Sequence, residues 1–459
     1  MKTFSTTNPA TGEVIEEFPF AADDEIPAVL DRAQQAFTEW AARPIEERAA
    51  IVKRVSELFI EKADALARIA TQEMGKPIGE MLEETEFCAD IFNYYATHGP
   101  EQLADQILSE TPESIASLER RPVGPLLGIM PWNYPYYQVA RFAAPNLVTG
   151  NVIMLKHAEI CPRSALALQS LMHEAGVPEG VYQNIFATHE QVSTIIASPI
   201  TQGVSLTGSE RAGAAIAEQA GRHLKKAVLE LGGSDPYVVL STDDITAQVA
   251  QALEIRLENT GQACNSNKRM IVMDDIYDEF VAELVNQVNE LVPADPAEGR
   301  DGTFAPLSSQ QAADTLVSQI DAAKKSGATV HTGGQRLDMP GYYVSPSVIT
   351  DIEQGSDVYY EELFGPAAVV YKASSEAEAL RLANDTQYGL GAAVYATESG
   401  RAEKFAQQLQ AGMVGANDQA PETADMPFGG IKRSGYGREL GPLGIDEFVN
   451  KRLMYVSKR

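Results

Sequence analysis

The chain has 459 residues, 44% of them hydrophobic, and sets 36 basic against 64 acidic side chains for a formal charge of −28. That length exceeds what one hydrophobic core serves and the apolar content is ample, so two or three folded domains are expected and disorder is not. Polyphosphate and anionic headgroups would meet a repulsive field, which argues against nucleic-acid or anionic-membrane partners; a small anionic substrate answers mainly to local charge.

The first residues, MKTFSTTNPATGEVIEEF, lack the apolar core of a signal peptide, and no run of about 18 apolar residues occurs. A cytoplasmic protein is expected. Its acidic excess suits either a high-salt habitat or an ordinary cytosolic surface. From Ala28 to about His98 apolar residues recur at three and four spacing, with breaks at Pro44 and at Met74 to Pro77, which predicts a helical layer. Met81, Thr85, Cys88 and Phe92 fall on one face of it, so Cys88 reads as core. The stretch ESIASLERRPVGP alternates polar and apolar residues as an exposed hairpin does.

After Pro122 short apolar strands alternate with helices: LLGIMP, NVIMLKH, VYQNIFA, GVSLTG and KAVLEL. This is the texture of a parallel sheet covered on both faces, with a nucleotide site expected at its strand ends. A second alternation follows, through PYVVL, RMIVMDD, IYDEFVAELVNQVNEL, QQAADTLVSQIDAAKKSG, ATVHTG, GPAAVVYK, GLGAAVYAT and GMVGAND. The C-terminal DEFVNKRLMYVSKR ends like a strand. With the hairpin near residue 115 it offers exposed edges suited to intersubunit pairing.

The G-x-G-x-x-G fingerprint is missing, since the pairs Gly389/Gly391 and Gly435/Gly437 are followed by Val394 and Leu440. In GVSLTGSERAG a strand instead runs through Thr207, Gly208 and Ser209 straight into a helix, whose free N–H groups suit a phosphate. On this segment alone, simple helix capping by Ser209 is the favoured reading. Three cysteines, widely spaced, signal neither a disulfide framework nor a metal site. Cys264, in ENTGQACNSNKR, has no apolar periodicity around it and is the candidate nucleophile, although a lone cysteine is also common as packing. Glu230 ends an apolar strand, where a carboxylate needs either a role as base or an ion-pair partner. Asn133, between prolines in PWNYP, suits a fixed oxyanion donor or a turn.

PWNYP, MLKHAE, SLTGSERAG, LELGG, NTGQAC, EELFGP and PFGGIKRSGYGRELG, in this order, resemble the NAD(P)-dependent aldehyde dehydrogenase superfamily over nearly the whole chain. PYYQVARFAAPN, GGSDPY and KRSGYGRELG are similar to compact bacterial succinic semialdehyde dehydrogenases. The resemblance implies an α/β fold: a Rossmann-type cofactor-binding domain over 1–108 and 126–229, a catalytic domain over 230–425, and a small β oligomerisation element over 109–125 and 426–459. It implies that Cys264 attacks the aldehyde, that Asn133 and the Cys264 N–H stabilise the oxyanion, and that Glu230 activates water to hydrolyse the thioester.

For the cofactor it points to Trp132, to Lys156 and Glu159 at the adenosine ribose, and to Thr207, Gly208 and Ser209 at the pyrophosphate. Gly232 and Gly233 would allow close backbone approach, and Glu362 and Phe364 would hold the nicotinamide ribose. Glu159 favours NAD over NADP, since a carboxylate repels a 2′-phosphate. Arg141 and Phe428 are the expected substrate residues, Arg141 for a carboxylate, although its spacing alone favours a surface arginine. Asn265, Ser266 and Glu258 depart from common family residues, so the substrate is less constrained than the reaction. Succinate semialdehyde is expected, with another small aldehyde, an acyl-transferring enzyme or a non-catalytic binder as alternatives. A homodimer or homotetramer is expected.

Overall fold

The computed structural model describes residues 3–299 and 301–458. The helical layer forms as the periodicity predicts: Glu25–Ala42, Ile45–Glu61, Ala63–Met74 and Ile78–Gln102. Pro44 and Pro77 precede two of the starts, and acidic residues occupy each first turn. Gly75 ends the third helix in the left-handed region at φ 83°, where a Cβ would lie 3.2 Å from Pro306 and Pro9. A further break at Lys62, without glycine or proline, had no signature in the sequence. Met81, Thr85, Cys88 and Phe92 are all fully buried.

Six strands form the first sheet in the order Gly435–Tyr436, Lys226–Glu230, Gly203–Thr207, Pro125–Ile129, Val152–Lys156, Tyr182–Asn184. All pair in parallel except Gly435–Tyr436, which lies antiparallel along the end of Lys226–Glu230 with Gly435 opposite Glu230. The second sheet has seven strands: Thr329–Thr332, Ser347–Thr350, Ala367–Ala373, Arg269–Met273, Pro236–Val239, Gly391–Tyr395, Met413–Ala416. Only Thr329–Thr332 is antiparallel there. Helices cover both sheets, which is why their central strands are largely apolar and almost entirely buried.

The stretch ESIASLERRPVGP is not itself a hairpin: it forms the single strand Ser114–Pro122, central in a three-stranded antiparallel sheet between Gln106–Glu110 and Val449–Ser457. Ile107, Leu108, Leu453, Tyr455 and Val456 on it are at least half exposed. The sequence reading passed over Phe4–Thr7, Val14–Phe18, Ser347–Thr350 and Gly435–Tyr436. These are short or hydroxyl-rich, and their strand state is imposed by neighbours rather than by pattern. Among the described residues no helix is long and apolar enough to cross a membrane.

Candidate active site

Parallel register aligns the carboxyl ends of the first sheet. Ile129 pairs with both Lys156 and Leu206, and Thr207 with Glu230, so the loops beginning at Met130, His157, Gly208 and Leu231 open at one edge. A cavity of about 380 Å³ lies there. Nine of the fifteen expected site residues line it: Trp132, Asn133, Thr207, Gly208, Ser209, Gly232, Cys264, Glu362 and Phe364. Ser209 caps the helix Glu210–Arg222, its Oγ accepting from the Ala212 N–H at 3.4 Å, so the capping and cavity readings hold together. Trp132 and Phe364 meet edge to face at 5.8 Å across one end.

Cys264 reaches the cavity from the second layer. Asn259, Thr260 and Gly261 are consecutively left-handed at φ 49°, 54° and 77°, turning the chain sharply before the thiol. Such strain persists only where surroundings fix it, and here hydrogen bonds do so. Asn259 Nδ2 donates to the Asn133 carbonyl at 2.8 Å, the Asn259 N–H donates to Glu80 at 2.7 Å, and Asn133 Nδ2 donates to the Gln262 carbonyl at 3.0 Å. The Asn133 amide is thereby held two residues from the thiol. Burial pushes the partly buried Cys264 thiol up to about 12, against the opposing pull of Arg141 and Lys268.

The Asn133 loop has its own anchor. Lys76 and Glu84, both almost fully buried, pair at 2.9 Å, and Glu84 also accepts from the N–H groups of Tyr136 and Tyr137 at 2.8 and 3.0 Å. The Lys76 ammonium sits 3.6 Å from the Tyr134 ring centroid.

Six expected residues lie outside the cavity wall: Glu230, Gly233, Lys156, Glu159, Arg141 and Phe428. Glu230 is buried with neither carboxylate oxygen hydrogen-bonded, and burial holds its pKa well above the usual range despite Arg141. It is thus a protonatable group without the hydrogen-bonded ion-pair partner that a purely structural role requires. Gly233 does permit a close approach, but to the Cys264 carbonyl, which a side chain there would strike; its N–H donates to Glu362 Oε1 at 3.0 Å. Lys156 and Glu159 form a loose ion pair, 3.7 Å apart, with Glu159 44% exposed.

Arg141 is not a surface residue. It lies on the helix Tyr137–Thr149, fully buried, paired with Glu439 and donating from Nη2 to Thr207 Oγ1 at 3.2 Å. Its guanidinium carbon is 4.5 Å from the Phe428 ring centroid and 4.9 Å from that of Tyr137. Burial opposes its charge, but Glu439, Tyr137 and Glu230 outweigh that and hold it protonated. Nη1 has no hydrogen-bond partner.

Gln138, Lys268 and Glu439 belong to the site and escaped the sequence reading. Glu439 lies within the motif KRSGYGRELG and Lys268 directly precedes the strand Arg269–Met273, and neither position by itself marks a site residue. Among the described residues no cluster of metal-ligating side chains occurs.

The aldehyde dehydrogenase family model matches residues 1–454. A Deinococcus radiodurans protein named succinate-semialdehyde dehydrogenase, NADP(+), is 52% identical over 98% of this chain and 94% of its own. One of the same designation from Mycobacterium tuberculosis is 39% identical over 99% of both chains. The crystal structure of succinic semialdehyde dehydrogenase from Streptococcus pyogenes, in complex with NADP+, superposes with a TM-score of 0.95 at 41% identity, covering 99% of this chain and 100% of that one. The alignment of catalytic-type side chains at one sheet edge and the match along essentially the whole sequence lead to one conclusion: the chain belongs to the aldehyde dehydrogenase family of NAD(P)-dependent oxidoreductases.

Proposed function

We propose that this protein oxidises succinate semialdehyde to succinate with NADP or NAD. The observation that carries the reading is a thiol, Cys264, sharing one cavity with the Asn133 amide and the Gly208–Ser209 helix N-terminus. The dinucleotide fits these residues: free N–H groups for its pyrophosphate at Ser209, aromatic walls at Trp132 and Phe364, Glu362 for the nicotinamide ribose, and Lys156 with Glu159 for the adenosine ribose. When bound, it supplies the hydride acceptor.

The chain's own residues do the rest. Cys264 Sγ adds to the aldehyde carbon, and Asn133 Nδ2 with the Cys264 N–H stabilises the oxyanion of the thiohemiacetal. Oxidation leaves a thioester on Cys264. Glu230 in its ionised form takes a proton from water, the water oxygen adds to the thioester carbon, the C–S bond breaks to release the acid, and the proton held by Glu230 returns to the leaving thiolate. A base in place favours hydrolysis over acyl transfer.

The substrate carboxylate is assigned to Arg141, whose unpartnered Nη1 is a buried cationic donor beside Phe428. The cofactor assignment is broader than Glu159 alone suggests. The relatives named above carry NADP(+) in their names, and Glu159 is half exposed on a single 3.7 Å ion pair, so it can swing clear of a 2′-phosphate and leave Lys156 to meet it. NADP is therefore used at least as well as NAD.

Residues 1–108 and 126–229 serve as the cofactor-binding unit, 230–425 as the catalytic unit, and 109–125 with 426–459, one strand of which (Gly435–Tyr436) joins the first sheet, as the oligomerisation element of a cytoplasmic dimer or tetramer. The exposed apolar strand Val449–Ser457 supports that last role. Following reduced-nicotinamide absorbance with succinate semialdehyde and a panel of uncharged aldehydes tests the function. The acidic aldehyde must give the highest kcat/KM, and an uncharged winner would replace this substrate.

A further inference from the structure

The thiol loop carries a buried cation that the reaction scheme does not use. Lys268 is 2% exposed, and its ammonium donates to the Ala263 carbonyl at 2.6 Å and the Cys264 carbonyl at 2.9 Å while pairing with Glu362 Oε1 at 3.2 Å. The Ala263 carbonyl and the Cys264 N–H belong to one planar peptide unit, so fixing the first fixes the direction of the second. A charge-assisted hydrogen bond on the carbonyl also polarises the amide and strengthens its N–H as a donor.

We propose that Lys268 is a positioning residue for aldehyde oxidation: its ammonium orients and polarises the Ala263–Cys264 peptide, the oxyanion donor, and docks Glu362 against the same loop. This rests on the thioester reading given above. The geometry links the two halves of the site through one charge. Glu362 Oε1 is shared between Lys268 and the Gly233 N–H, so the carboxylate assigned to the nicotinamide ribose and the reacting thiol are held by the same ammonium. The charged groups acting on the Cys264 thiol are Arg141 and Lys268, which favour thiolate, and Glu422 and Glu362, which oppose it.

Removing the ammonium leaves the loop otherwise supported. Arg256, fully buried, donates to the carbonyls of Gly261, Leu363 and Ala367 at 3.2, 2.9 and 2.8 Å, and to Ser266 Oγ at 3.0 Å. Gln262 Oε1 accepts from the Ser308 N–H at 3.0 Å.

The test uses the full-length enzyme with Lys268→Met and Lys268→Gln. In the cofactor-free enzyme, the pH profile of Cys264 inactivation by iodoacetamide should move up by about one unit in both variants. The single-turnover burst with succinate semialdehyde should slow about tenfold or more in Lys268→Met. Lys268→Gln should recover part of the burst, because its amide still donates to one carbonyl, but none of the profile shift. Cofactor binding, followed by Trp132 fluorescence, should weaken in both. A parental alkylation profile and burst rate in folded Lys268→Met overturn the proposal. Should both neutral variants fail to fold, Lys268→Arg decides: a parental profile with a slower burst supports the proposal, and a parental burst or a shifted profile overturns it. Persistent activity in Cys264→Ala would instead remove the thioester reading itself, whatever Lys268 does.

Discussion

Arg141→Ala removes a fully buried guanidinium whose three nitrogens have different surroundings, and the consequences separate cleanly. Nε faces Glu439, Nη2 donates to Thr207, and Nη1, which has no hydrogen-bond partner, is the arm proposed above for the substrate carboxylate. One free arm makes one charge-assisted hydrogen bond, worth about 1.5–3 kcal/mol, so KM for succinate semialdehyde should rise about 10- to 150-fold. KM for an uncharged aldehyde of the same length should barely move. The variant also leaves Glu439 buried without its cation, a loss of about 3–5 kcal/mol. Arg141→Ala should therefore melt well below the parent, and adding Glu439→Gln should restore much of that stability without restoring substrate discrimination. Steady-state kinetics on the aldehyde pair, with melting curves for the single and double variants, give both quantities. Equal KM increases on the two aldehydes would refute carboxylate recognition and leave Arg141 only as the partner of Glu439. Full recovery of discrimination in the double variant would refute the assignment of Nη1.

Glu230→Gln keeps the shape but not the base, so a burst of reduced cofactor should be followed by turnover slowed about 10²- to 10⁴-fold, read by rapid mixing; parental turnover would contradict the base assignment. Glu159→Gln removes the charge that opposes a 2′-phosphate, so the ratio of kcat/KM for NADP over NAD should rise, and an unchanged ratio would mean that Glu159 does not select the cofactor. His157 is neutral in the fold: it accepts from the Ala158 N–H, and its Nε2–H donates to the Pro135 carbonyl at 2.9 Å, with burial lowering its pKa from 6.5 to about 4. Between those values the unfolded chain binds a proton that the folded one does not, so this residue makes stability rise with pH by about 1.4 kcal/mol per unit there. The carboxyls of partly buried Glu80 and buried Asp235, raised to about 7, act oppositely. The measurement is thus the difference in unfolding free energy between parent and His157→Gln from pH 4 to 6.5, and a pH-independent difference would refute it.

By itself the sequence determined the layered α/β architecture, because helical and strand periodicities are local and the buried parallel strands read as unbroken apolar runs. It also determined the family, and it named nine residues that line one cavity, because motifs at strand ends are carried to a common edge by parallel register. Tertiary structure alone decided how those residues are electrostatically held. Arg141 and Glu439 are 298 residues apart in sequence, and only packing joins them into a buried pair beside Glu230. Lys268 is an ordinary basic strand start until the fold sets Glu362 and two carbonyls around its ammonium. Gly435–Tyr436 is a strand only because it lies along Lys226–Glu230. Such roles depend on burial and on partners brought from distant segments, and residue type and spacing carry neither.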